Sequence, residues 1–171
     1  MWRVELIHPL LVHFPIGLLV AAALLEAIGM LLSAGGGRLA AVGRSLSGCA
    51  LVMLVLGVPL AWAAVYTGGL AENVVNRVIC DPTVTHDHQD AAWLASSVFS
   101  GALALALAAR WGAASPRTGL VAAARWLRLL ALPVILAGAG LLGYAGHLGA
   151  RLVYQQGAAV HHPSESCREF E

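Results

Sequence analysis

Apolar residues run along this chain in long blocks, not in the alternation of a half-buried strand or the single stripe of a surface helix. A helix needs about 20 mostly apolar residues to cross the hydrocarbon layer, and four blocks qualify: residues 9–32, 46–67, 91–109 and 120–150. The breaks between them carry turn residues: Ser33-Ala34-Gly35-Gly36-Gly37, Thr67-Gly68-Gly69 at the head of a polar loop over 68–90, and Gly112-Ala113-Ala114-Ser115-Pro116. Four spans with short connections predict an all-α, integral membrane four-helix up-and-down bundle. It is a single transmembrane domain over 1–171, with residues 151–171 as a tail. The first block runs too long for the apolar core of a signal peptide and holds His13 and Glu26, so it reads as a mature helix. Pro59 and Pro133, interior to spans two and four, predict local kinks, while Pro9 and Pro15 sit in the opening turns of span one and allow it to begin as late as Pro15, after a short interfacial turn.

Composition agrees. Hydrophobic residues make up 59% and charged residues 11%, and a mean hydropathy of +0.78 excludes an ordinary soluble domain or a disordered chain. There is no lysine, and a net charge of +1 offers no basic surface for nucleic acid. The distribution of charge carries more. Arg38, Arg44, Arg110, Arg117, Arg125 and Arg128 cluster around the loops after spans one and three with no acid among them, whereas the opposite end holds Glu5, Glu72, Asp81, Asp87, Asp90, Glu165, Glu169 and Glu171. The arginine-rich end is then cytoplasmic and both termini are periplasmic, in a bacterial inner membrane.

This topology gathers the seven histidines. His8 and His13 open span one, His86 and His88 precede span three, His147 lies near the end of span four, and His161 and His162 follow in the tail, all at the outer end. Imidazole is costly within a membrane and is a common ligand of metals and haem iron. Gly140, Gly143 and His147 share a helix face, and Gly17 lies one turn deeper than His13, so a glycine sits inward of each histidine. Such cleared space suits a flat macrocycle, and it equally suits close packing of helices without a cofactor. There is no Cys-x-x-Cys-His, so any haem is b-type.

Cys80 and Cys167 both fall on the outer face and form a candidate disulfide, with Cys80, His86 and His88 as a competing copper or zinc site. Glu26, the lone acid within a span, reads either as a proton or quinone group or as a carboxylate bound to a Ser or Arg of the bundle.

The segment His8-Pro9-Leu10-Leu11-Val12-His13-Phe14-Pro15-Ile16-Gly17 resembles the opening signature of a family of small predicted bacterial membrane proteins with four spans and no assigned function. The segment Gly146-His147-Leu148-Gly149-Ala150-Arg151-Leu152-Val153-Tyr154 is similar to its closing signature. That signature usually has a second glycine where Ala150 stands, and a histidine often follows the tyrosine where this chain has Gln155-Gln156. Relatives joined to cytochrome c-like or Rieske-type domains imply a place in membrane electron transfer.

The expected function is a membrane electron-transfer subunit in which His13 and His147, with His88 as substitute and His8 as a further candidate, hold one b-type haem near the periplasmic face. Its expected partners are the bilayer, quinol, other redox subunits and a periplasmic c-type cytochrome. Any catalysis would belong to the larger complex. The alternatives are a cofactor-free assembly subunit and a copper or zinc site at the periplasmic face.

Overall fold

The computed structural model describes residues 4–160. A short 3-10 turn, Val4–Leu6, leads into four helices: α1 (Ile7–Ser33), α2 (Gly37–Val75), α3 (Thr83–Ala113) and α4 (Thr118–Tyr154), with no strand among the described residues. All four are long and apolar enough to cross a membrane. Large apolar side chains such as Leu10, Leu24, Leu31, Val52, Leu94 and Leu129 point outward, where water would penalise them and hydrocarbon does not.

The helices outrun the sequence-predicted spans. At 39 residues, α2 is about 58 Å long at helical rise, well beyond the about 30 Å of hydrocarbon, so its polar ends stand clear of the apolar layer. Most of the loop expected over 68–90 is therefore helix. Thr67-Gly68-Gly69 does not end α2, because these glycines meet neighbouring side chains inside the helix instead of capping it. Across the remaining turn, Asp81 accepts hydrogen bonds from the Thr83 hydroxyl (2.6 Å) and backbone N–H (3.0 Å), an Asx turn just ahead of α3, which begins well before residue 91. The helix also starts earlier than Pro15: α1 is continuous from Ile7, with Pro15 buried inside it. The two glycine-rich breaks at 33–37 and 112–116 do fall at helix ends, and Gly36 has the positive φ of 74° that favours glycine.

Packing is organised as two hairpins. Helix α1 lies chiefly on α2, and α3 chiefly on α4. Each hairpin closes on a glycine: a Cβ on Gly57 would come within 2.8 Å of Leu19 Cδ2, and one on Gly138 within 3.1 Å of the Phe99 ring. Leu19 and Phe99 are fully buried, as are Ala22 and Ala102 one turn further on. These residues, with Leu54, Val58 and Ile135, form the central core. A smaller cluster of Val75, Ile79, Val84, Leu152 and Ala158 closes the end that carries both chain termini. Trp62 adds a polar tie between hairpins, donating through Nε1 to Ser100 Oγ at 3.0 Å and standing edge-on to Trp93.

Candidate functional site

The start of each hairpin carries a histidine directed at its own partner helix. His8 Nδ1 is 2.9 Å from the carbonyl oxygen of Ala64 on α2, and His88 Nδ1 is 2.8 Å from that of Ala145 on α4. A carbonyl only accepts, so Nδ1 carries the proton in both rings and, in the neutral imidazole, Nε2 keeps a free lone pair. Thr67 Oγ1, which donates to the same Ala64 carbonyl at 3.1 Å, is also 3.4 Å from His8 Nδ1.

One turn beyond each carbonyl stands a glycine. A Cβ on Gly68 would lie 3.1 Å from His8 Cε1, and one on Gly149 would lie 3.2 Å from His88 Cε1. Each imidazole thus occupies a notch made by the carbonyl of residue i and the missing side chain of residue i+4. The notch is built twice, with 56 residues from His8 to Ala64 and 57 from His88 to Ala145.

The two rings face each other across the joint between hairpins. Their centroids are 6.1 Å apart and their planes 79° from parallel. Beside them lies a cavity of about 360 Å³, lined by His8, His88, Gly68 and Gly149 and otherwise largely by apolar side chains from all four helices. Ser96, Thr85 and Glu72 are among its few polar walls.

The other sequence-predicted residues are distributed differently. His13 is exposed and lines the same cavity further along α1. His147 is exposed on α4 and is not part of that lining. Gly17, Gly140 and Gly143 have nothing within 4 Å of where a Cβ would stand, so they crowd neither a helix nor a histidine. The geometry therefore pairs His8 with His88 and does not bring His13 to His147. His86 is exposed and 3.4 Å from Glu72 Oε1, which also accepts from Asn76. Cys80 is an exposed free thiol, while Cys167, His161 and His162 lie outside the described residues. Among the described residues no group of three or more His, Cys, Asp and Glu side chains is placed to share a metal ion. Glu26 is buried, and Arg128 Nε approaches its Oε1 to 3.6 Å while Arg128 Nη2 donates to Ser47 Oγ at 2.9 Å.

Gly68 is the functional candidate that sequence reasoning passed over, since it reads as the head of a loop. The signal was present as a repeated spacing, Ala64-x-x-x-Gly68 and Ala145-x-x-x-Gly149, each following a histidine at nearly the same distance.

Fold and site together define an integral membrane four-helix bundle made of two hairpins that present a histidine pair at one end. Residues 5–162 match the family described as predicted membrane protein (DUF2231), and the chain belongs to that family. Comparison with curated proteins and with solved structures gives no match.

Proposed function

We propose that this protein is a membrane electron-transfer subunit that holds one b-type haem between His8 and His88. The observation that carries this reading is the pair of opposed imidazoles, each anchored through Nδ1 to a backbone carbonyl. A ligating histidine characteristically donates its other ring N–H in this way, which fixes tautomer and orientation. The ring centroids are 6.1 Å apart, a separation compatible with two imidazoles that would hold one metal ion between them.

A haem iron asks the protein for only two axial donors, whereas structural zinc takes four. The apolar cavity beside the pair supports a macrocycle, and the notches at Gly68 and Gly149 let the imidazoles lie against helix backbone. Held by His8 and His88 together, such a group would supply one-electron transfer and not oxygen binding. The arginine distribution supports a periplasmic location for the histidine end and for both termini, in a bacterial inner membrane. Electrons would then pass between quinol or a neighbouring redox subunit and a periplasmic carrier.

A second reading is a cofactor-free assembly subunit in which the histidines latch the hairpins together. It is favoured by one fact: both Nδ1 groups are already hydrogen-bonded without any ligand. A reduced-minus-oxidised spectrum of the detergent-purified protein, with a pyridine haemochrome assay, separates the two. A b-type signal near one per chain is expected, lost in His8→Ala or His88→Ala and kept in His147→Ala. A colourless protein from cells supplied with haem refutes the proposal and leaves the latch. Copper or zinc retained after purification, and released by Cys80→Ala, would instead favour a metal site at the 80–88 segment.

A further inference from the structure

The opposite end of the bundle holds a second cavity, also about 360 Å³, of different chemistry. Its inner wall is apolar, formed by Leu51, Leu54 and Ile135 with small residues such as Ala106. Arg44, Arg110, Arg125 and Arg128 also line it. Arg128 is engaged by Ser47 and Glu26. Arg44, Arg110 and Arg125 have no hydrogen-bond or ion-pair partner among the described residues.

Among the described residues no other carboxylate lines the cavity. The chain has no Asp or Glu between Glu26 and Glu72, nor between Asp90 and Glu165, so the single carboxylate of this cavity already faces Arg128. Three guanidinium groups beside an apolar recess want a ligand with an anionic head and an apolar body. Guanidinium forks match phosphate oxygens, and basic pockets between membrane helices take acidic lipid headgroups. A free phosphate would satisfy the arginines and leave Leu51, Leu54 and Ile135 uncovered. A zwitterionic lipid would bring an ammonium group toward three cations.

We infer that this cavity is a binding site for an acidic phospholipid, its phosphodiester held by Arg44, Arg110 and Arg125 and an acyl chain laid against Leu51, Leu54 and Ile135. The site is independent of the histidine pair and of any cofactor there.

Native mass spectrometry of the full chain, released from detergent with added phosphatidylglycerol or phosphatidylcholine, tests the inference. Phosphatidylglycerol is expected to bind preferentially. Arg44→Gln with Arg125→Gln should weaken it by about 25-fold, from roughly fivefold per arginine, while Arg38→Gln with Arg117→Gln, outside the cavity, leaves it unchanged. Ala106→Leu, which fills the apolar wall and alters no charge, should also weaken binding with the helical circular dichroism intact. Equal binding of the two lipids, or equal losses in the two arginine pairs, would mean general surface charge and overturn the assignment. Displacement of the lipid by millimolar inorganic phosphate would overturn it in favour of a site for the free anion.

Discussion

Replacing Gly149 by alanine tests the notch directly. The added Cβ would stand 3.2 Å from His88 Cε1, whereas carbon atoms settle at about 3.5–4.0 Å. Relief requires a movement of about 0.3–0.8 Å, and the ring is not free to make it. Its Nδ1 is held 2.8 Å from the Ala145 carbonyl, and the His8 ring stands across from it. A shift of that size stretches the hydrogen bond toward or past about 3.2 Å, the ordinary limit. Losing it costs about 1 kcal/mol and the overpacking about 1–3 kcal/mol, while alanine recovers about 1 kcal/mol of helix propensity. The net expectation is a loss of about 1–3 kcal/mol. Gly143→Ala is the matched control on the same helix, because nothing lies within 4 Å of its Cβ position, it is not part of the cavity lining, and only the propensity gain applies. Reversible denaturation in mixed micelles reads the stability difference. If haem is ligated as proposed, disturbing the carbonyl anchor should also weaken its retention about 10- to 100-fold. Equal stability and equal haem content in the two variants would falsify the notch.

Four further outcomes are expected. Gly57→Val should open the first hairpin, because its side chain meets Leu19, and should cost about 1–3 kcal/mol, whereas Gly101→Val, in open space, should not; the same micelle denaturation measures both. Glu26→Gln should cost about 1 kcal/mol on that assay, less than the about 3–5 kcal/mol of a fully buried pair, because the Arg128 side chain is 38% exposed. The Thr83 hydroxyl and then its backbone N–H hold the Asp81 carboxyl below the usual carboxylate range; a lowered folded value means the contribution is present above about pH 3.9, the ordinary value, and is lost as pH falls through the folded one, so protection near the start of α3, measured relative to intrinsic exchange at each pH, should fall in acid and Asp81→Asn should remove that step. In cells, with the chain's own cysteines replaced by serine because Cys49 and Cys80 are exposed free thiols, a cysteine at Val78 should react with a membrane-impermeant maleimide and one at Ser115 should not; the reverse pattern would overturn the periplasmic placement of the histidine end.

The spans were legible because an apolar block of about 20 residues has one economical solution in lipid. The helix ends were less so, since hydropathy reports the hydrocarbon layer and not where backbone hydrogen bonding stops. Residues 83–90 are largely polar yet helical, behind the Asp81–Thr83 turn, and 68–75 are helical despite two glycines. The site was legible as a set of histidines at one end and illegible as a pair. A glycine one turn inward of a histidine does not say which helix face meets the bundle interior: His13 is exposed yet lines the cavity beside His8 and His88, and His147 is exposed and outside that lining. His8 sits just before a proline and looks like a helix-start residue, yet Ala64 and Gly68 of another helix decide its role. For Glu26 the sequence left a proton or quinone group open beside a Ser or Arg partner; the structure places Arg128 Nε 3.6 Å from its carboxylate, and Ser47 accepts from the same arginine.

The hairpin arrangement sets what a ligand between the histidines would do to the whole fold. Each histidine is fastened to the second helix of its own hairpin, so its position belongs to that hairpin and not to the joint. The joint itself is the thinner packing, since α1 lies chiefly on α2 and α3 chiefly on α4. A group coordinated by both rings therefore bolts hairpin to hairpin at the terminal end, while Trp62 and Ser100 tie them deeper in the bundle. Ligand that binds only the docked state stabilises it by mass action, about 2.7 kcal/mol at a free concentration 100 times the dissociation constant. If haem is bound as proposed, removing it, or either histidine, should then loosen the contact between hairpins and leave each hairpin intact. Hydrogen exchange distinguishes these directly. Protection should fall first in the helix ends around residues 64–75 and 83–92, and last around the Leu19–Gly57 and Phe99–Gly138 contacts. Uniform loss of protection would mean the four helices form one cooperative unit, and the histidine pair would then be part of a single core and not a bolt across a joint.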